Sequence, residues 1–393
     1  MKKLLVVGAS ILQLPAILKA KEKGYCVATA DYNPNAVGIP YADKFYEVST
    51  IDVEGIYQAA LDFEVDGIMT LATDMPMRAI ANATKKLGLP GISPITAEAA
   101  TDKGKMITAF KKAGVAAPWF EIIDEISRLE QICDQVSFPC ILKPVDNSGS
   151  RGVVLITEWH MVEDAYDYSR GQSRNGQVIV EEYLQGQEVS VETITFNGQT
   201  HVLAITDKIT TGPPHFVELG HSQPSQLPDL QREQIKELAK RAVDAVGIDI
   251  GPAHVEMMMT PVGPKMIELG ARLGGDCITS HLVPLSTGID LVGATIDCFL
   301  GESPVITQTM QKGSAIRYLS VKQGQIKAIH NIDQAVKIPG VQEITFTKNV
   351  GDQSVDLSSS NDRIGFVIAQ GDSALDAIRA CEKALSTTQI EIG

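Results

Sequence analysis

The segment 254–270 restricts the fold of this 393-residue chain more than any other, because two apolar runs there flank a cluster of turn formers. His254-Val-Glu256-Met-Met-Met259 is followed by Thr260-Pro-Val-Gly-Pro264 and then by Lys265-Met-Ile-Glu268-Leu-Gly270. Such runs on either side of proline and glycine read as the arms of a β-hairpin. Taking residues 260–264 as the turn pairs Met259 with Lys265. Glu256 then falls opposite Glu268 on one face of the ribbon, with Cβ atoms about 5 Å apart. Two carboxylates facing each other among apolar neighbours repel, so something must compensate them. A divalent cation does so, since magnesium takes one or two carboxylates and fills its octahedron with water and substrate phosphates. The alternative is that one glutamate is protonated or pairs with a basic residue such as Arg272.

Three further groups carry chemistry. Arg272 follows Glu268 in Glu-Leu-Gly-Ala-Arg-Leu-Gly-Gly-Asp276, where its fork either reaches a phosphoryl group or developing oxyanion or forms a plain ion pair. Lys143 ends the buried-type run 139–144, just before Ser148-Gly-Ser150-Arg-Gly152. Lysine beside a glycine-bearing loop suits a polyphosphate, although such a loop by itself is equally a simple turn. The run 178–184 contains Glu181, Glu182 and Leu184 and leads to Glu188. Backbone groups at the end of such a strand can pair a purine edge, and a nearby acid can accept from ribose hydroxyls. Each acid taken singly is also compatible with a solvated turn.

Residues 1–100 alternate β-rich runs at 4–7, 26–30 and 68–71 with helical patterns at 16–23 and 79–87, the rhythm of a parallel sheet covered by helices. The turn Gly8-Ala-Ser10 lacks the later glycines of a dinucleotide fingerprint and reads as a tight strand-to-helix connection. Next come a helix at 105–113, strands at 140–144, 153–156, 178–181 and 188–195, and a helix with apolar Ile235, Leu238, Ala239, Ala242, Val243 and Val246 at the 3.6 period. Strand-like runs at 315–321, 341–346 and 364–370 and a helix at 374–385 close the chain. With 34 lysines and arginines against 48 aspartates and glutamates, the net charge is −14, which disfavours nucleic acid and anionic lipid as partners. Six scattered cysteines without a C-x-x-C fit reduced thiols in a cytoplasmic protein, without zinc or disulfides. The run at 4–7 is too interrupted for a secretory signal, and no stretch is long and apolar enough for a bilayer, so no membrane partner is expected.

In their order and spacing over residues 1–305, these motifs resemble the ATP-grasp superfamily of carboxylate-amine ligases. The form Glu268-Leu-Gly270-Ala-Arg272 and the tail look most like L-amino-acid (dipeptide) ligases, and are also similar to glycinamide ribonucleotide synthetase and carbamoyl phosphate synthetase relatives. The resemblance implies a mixed α/β and α+β chain with four parts: a parallel-sheet pre-ATP-grasp domain (1–100), a lid with phosphate loop and adenine connector (101–185), a core with the metal hairpin (186–305), and a small β-rich C-terminal α+β domain (306–393). It implies ATP with Mg2+, for which Mn2+ can substitute. By the same resemblance Lys103, Lys143 and Ser150 contact phosphates, while Glu181, Glu182, the Leu184 backbone and Glu188 hold adenine and ribose. Glu256 and Glu268 bridge the metal, and Arg272 and Lys143 take part in catalysis. Gly270 departs from the family's usual asparagine, which puts a second metal in doubt. The segment His215-Phe-Val-Glu218-Leu-Gly-His221-Ser-Gln-Pro-Ser225 is expected near the second substrate. The implied reaction passes through an acyl phosphate, splits ATP to ADP and phosphate, and joins an amino acid or similar small acid to an amine. A phosphoribosylamine-glycine ligase-like or carbamoyl phosphate synthetase-like enzyme is the alternative, and a non-catalytic nucleotide-binding regulator a remoter one. The partners are small-molecule carboxylates and amines, and a homodimer stays open.

Overall fold

The computed structural model describes residues 1–147 and 151–393. At the N-terminus, strands Lys44–Glu47, Cys26–Asp31, Lys3–Val7 and Gly67–Met69 lie side by side in that order, all parallel. Helices Leu14–Glu22, Val53–Phe63 and Met77–Leu87 cover the sheet. The expected elements are present. The strand at Lys44–Glu47 and the helix Val53–Phe63 are additions that the apolar pattern did not single out. The Gly8 turn is filled by its own chain: Gln13 donates to the Leu71 carbonyl at 2.6 Å and accepts from Ser10 Oγ at 2.7 Å.

The region expected to form the lid contains an antiparallel sheet in the order Phe120–Ile123, Val178–Glu182, Cys140–Pro144, Val154–Ile156. Leu142, Ile156, Tyr166 and Val180 are packed into its small core, with the helix Val162–Gly171 on one face.

The largest sheet has eight strands. They run Gly263–Gly270, Gly251–Thr260, Gln187–Phe196, Gln199–Thr210, Glu218–Gln223, Gly313–Leu319, Gly365–Gly371 and Val341–Phe346. It continues across residue 305, because Gly220 to Gln223 pair with Ser314 to Arg317. The helix Asp229–Val246 buries all six apolar positions expected of it, Ile235, Leu238, Ala239, Ala242, Val243 and Val246. A period of 3.6 on an otherwise charged helix leaves no other face to bury.

The hairpin differs from the expected one in an instructive way. Thr260 pairs with Gly263 and Met259 with Pro264, not with Lys265, so the turn is the two residues Pro261 and Val262 rather than five. That tight register would place Glu256 opposite Ile267 and turn Glu268 to the other face. A bulge restores the pairing. Met257 pairs with Met266, Glu256 pairs with Glu268, and Ile267 is the extra residue between them. The turn and the bulge shift the register by one residue in opposite senses, and the two carboxylates meet as the pattern required.

Candidate active site

Each hairpin carboxylate is met by cations. Lys103, in the first turn of helix Lys103–Lys112, places Nζ 2.8 Å from Glu268 Oε2 and donates to the Asn147 carbonyl at 2.7 Å. Lys208, on the strand Gln199–Thr210, lies 3.1 Å from Glu256 Oε2 and 2.6 Å from Glu188 Oε1. His254 sets Nε2 3.1 Å from Glu256 Oε1 and Nδ1 2.6 Å from the buried Glu192. Burial alone would push the two hairpin glutamates up, but Lys208 and His254 hold Glu256 well below the usual carboxylate range, and Lys103 holds Glu268 below it. Burial pulls the cations down, yet Glu188 and Glu256 keep Lys208 well above its ordinary value, and Glu192 with Glu256 pushes His254 up to about 9. Both carboxylates are therefore ionised and paired with basic residues.

Arg272 is not among their partners. Its fork grips Asp74 in two contacts of 3.1 and 3.0 Å, which raises its already high pKa against the effect of burial. The pair Asp74–Arg272 also explains the missing asparagine, since a Cβ on Gly270 would lie 2.5 Å from Asp74 Oδ1 and 3.1 Å from Arg272 Cζ. Gly274 is constrained likewise, its Cβ position falling 2.6 Å from His254 Nδ1.

Two clefts meet at the hairpin. The first is lined by Lys103, Lys143, Glu181, Glu182, Leu184, Glu188, Glu256 and Glu268. It therefore gathers every expected site residue except Ser150, which lies outside the described residues, and Arg272. Lys143 and Glu181 form a buried ion pair of 2.7 Å. The Glu182 carboxylate turns to Lys265 at 2.8 Å, which leaves the connector's backbone rather than that side chain to face a ligand. Tyr183 and Phe216, with ring centres 6.5 Å apart, wall the cleft together with Met258 and Met266. The second cleft, lined by Asp74, Arg78, Arg174 and Arg272 among others, shares Lys103, Asn147, Glu256 and Glu268 with the first.

Lys208, Glu218, Phe216, His254 and Asp74 were not marked as site residues by their sequence context. Phe216 and Glu218 line the first cleft, although their segment was expected near the second substrate. His221 is buried and bonds Asp276 at 3.3 Å, while His215 is exposed. Residues 202–210 run apolar and then polar without the alternation of a half-buried strand, so no local pattern marks Lys208.

Two family models match the chain, the ATP-grasp domain over residues 136–280 and the L-amino acid ligase C-terminal domain 2 over residues 317–393. The chain contains an ATP-grasp domain. It is 29% identical over 317 residues to an alanine–anticapsin ligase of Bacillus subtilis (strain 168), an alignment covering 74% of this chain and 66% of that protein. In fold it is similar to the L-amino acid ligase of Bacillus licheniformis, with a TM-score of 0.87, 22% identity and coverage of 100% and 99% of the two chains. The phosphoribosylglycinamide synthetase of Anaerococcus prevotii superposes with a TM-score of 0.82 at 24% identity, covering 100% of both chains.

ATP-grasp enzymes use ATP and a divalent metal, and the donor set here fits one. Two ionised carboxylates supply hard oxygen ligands and leave the remaining positions to water and phosphates. Among the described residues no group of three or more His, Cys, Asp or Glu side chains suited to a metal occurs.

Two outcomes follow from the packing. Gly270→Ala should force Asp74 and Arg272 apart, lower the melting temperature and reduce kcat/KM by about tenfold or more. Lys208→Met should cost about 3 kcal/mol in unfolding experiments by leaving Glu256 and Glu188 short of a cation. Added Mg2+ should then raise the melting temperature of the variant more than that of the parent. Equal Mg2+ responses would show that the ammonium and the metal do not serve the same carboxylate.

Proposed function

We propose that the enzyme is an ADP-forming ligase that joins the carboxylate of an amino acid or similar small acid to an amine through an acyl phosphate. The observation that carries this reading is the shared floor of the two clefts. Glu256, Glu268, Lys103 and Asn147 border both, so a terminal phosphoryl group in the first cleft lies beside a carboxylate in the second. ATP lies in the first cleft with its adenine on the connector at Leu184, its ribose toward Glu188 and its phosphates on Lys143 and Lys103. Glu256 and Glu268 would hold magnesium, or manganese in its place, which when bound neutralises phosphate charge.

The residues position and neutralise. A carboxylate oxygen attacks the γ-phosphorus and ADP leaves. The amine nitrogen then attacks the acyl carbon, the bond from that carbon to the phosphate oxygen breaks, and inorganic phosphate departs as the nitrogen loses its proton. Arg272, fixed by Asp74 on the second-cleft side, offsets the charge on the carbonyl oxygen. The ligase identity of the named relatives and the L-amino acid ligase C-terminal domain support the reading.

Glu256→Gln and Glu268→Gln each delete a charge with little change in volume, and each should lower kcat by about a hundredfold or more with the fold intact by circular dichroism. Lys143→Met should weaken ATP binding by calorimetry and leave the acid's affinity unchanged. The reaction class is tested with an ¹⁸O-labelled carboxylate. The label should pass into the released phosphate, and nucleotide analysis should find ADP. AMP, or unlabelled phosphate during productive ligation, would refute the acyl phosphate route.

A further inference from the structure

The eight-stranded sheet has a gap in it. The strand Glu218–Gln223 lies between Gln199–Thr210 and Gly313–Leu319, and it pairs with the first of these only from Asp207 to Thr210. Pro224 has no N–H with which to continue that ladder. After one more bond, from the Ser225 N–H to the Ile205 carbonyl at 2.9 Å, the chain leaves for the helix Asp229–Val246. The strand on the far side stops at the same level. It begins only at Gly313, and the N–H groups of Thr309, Met310 and Lys312 before it turn to the Thr287 and Ser286 carbonyls. Among the described residues no strand therefore lies beside Val202, Leu203 and Ala204 on the side away from Gln187–Phe196.

The gap is a cavity of about 720 Å3, within the usual range for ligand sites, and it shares no lining residue with either cleft. Its width follows from the sheet order. Gly313–Leu319 stands two places from Gln199–Thr210, so beyond Gln223 the empty middle place is one strand wide, with about 4.8 Å to each side. The open edge from Val202 to Ile205 gives a length of ~13 Å at about 3.3 Å per residue. Charged groups on the rim are already matched, Arg232 with Asp229, Lys236 with Glu233 and Lys312 with Asp372. A nucleotide or a phosphate would have to break one of these pairs. The remaining chemistry is that of amides, supplied by the backbone of the open edge and by the side chains of Gln226 and Gln311. An extended peptide satisfies such an edge with its own N–H and C=O groups and needs no ionic contact.

We propose that this gap is a second binding site, separate from the two clefts, which takes a short peptide without net charge as an added strand along Val202–Ile205. Roughly two to four residues fill its length. The site stands apart from the ligase reading, because a peptide capped at both ends offers neither a carboxylate nor an amine to the hairpin.

The test is binding to the full chain by calorimetry. N-acetyl-Ala-Val-Ala-amide should bind with a dissociation constant below about 1 mM, and should keep its affinity when a non-hydrolysable ATP analogue and Mg2+ are present. Hydrogen exchange read by mass spectrometry should slow about tenfold or more over residues 199–205 when the peptide is added. The same peptide methylated on every backbone nitrogen cannot donate to the edge and should bind more weakly by about tenfold or more. Capped Glu-Val-Glu and Lys-Val-Lys should also bind more weakly. Gln308 and Gln311 lie on an exposed segment bordering the gap, so Q308W and Q311W should each weaken the peptide about tenfold or more at an unchanged melting temperature. The proposal is overturned by an absence of binding, by displacement with the nucleotide, or by protection confined to other segments. Equal affinity of the methylated or charged peptides, or full affinity in both tryptophan variants, would overturn it as well.

Discussion

Two like charges on one face of a buried hairpin set the terms for everything around them. An ionised carboxylate deprived of water and left unpaired costs several kcal/mol, and Glu256 and Glu268 stand directly opposite each other. Their compensation comes from three separate segments: Lys208 two strands away in the same sheet, His254 two residues along the same strand, and Lys103 at the start of a helix that belongs to another layer. His254 is itself tethered to Glu192, its direct cross-strand neighbour. Each tether demands space. Gly274 and Gly270 lack side chains where His254 and the Asp74–Arg272 pair would collide with one. A site held by so many ionised pairs is pre-organised for charge.

Much of this arrangement was legible in the sequence, and the reason lies in the hairpin. Opposition of two glutamates is a statement about parity and spacing, which survive an error in the turn. The predicted five-residue turn was wrong and Ile267 bulges, yet the pair is where parity put it. The helix Asp229–Val246 was legible for the same reason, since periodicity is a local property. Lys208 and Asp74 were not, because their roles depend on partners 48 and 198 residues away in the chain. Sequence spacing contains no trace of such contacts. The long strand Gln199–Thr210 also escaped assignment, seven of its twelve residues being only partly buried, so the lysine it bears had no frame to mark it.

The C-terminal residues are joined to this machinery by more than adjacency. Asp276 closes the loop that begins at Arg272 and adopts a left-handed φ of +52°, with Cys277 following at +60°. For residues other than glycine such a backbone is strained unless its surroundings enforce it. The enforcement comes from beyond residue 305: Arg363 binds both Asp276 oxygens at 3.0 Å and stacks 3.7 Å from the Tyr318 ring, whose hydroxyl donates to the Asp276 carbonyl at 3.2 Å. Burial alone would raise the Asp276 carboxyl, but His221 and Arg363 hold it well below the usual range. Ser360 meanwhile donates to Glu218 on the wall of the first cleft. The same loop carries Arg272 toward Asp74 of the N-terminal sheet unit, so a short stretch of chain is pinned at one end by the first hundred residues and at the other by the last eighty. With both ends fixed, the Arg272 fork has little freedom to move.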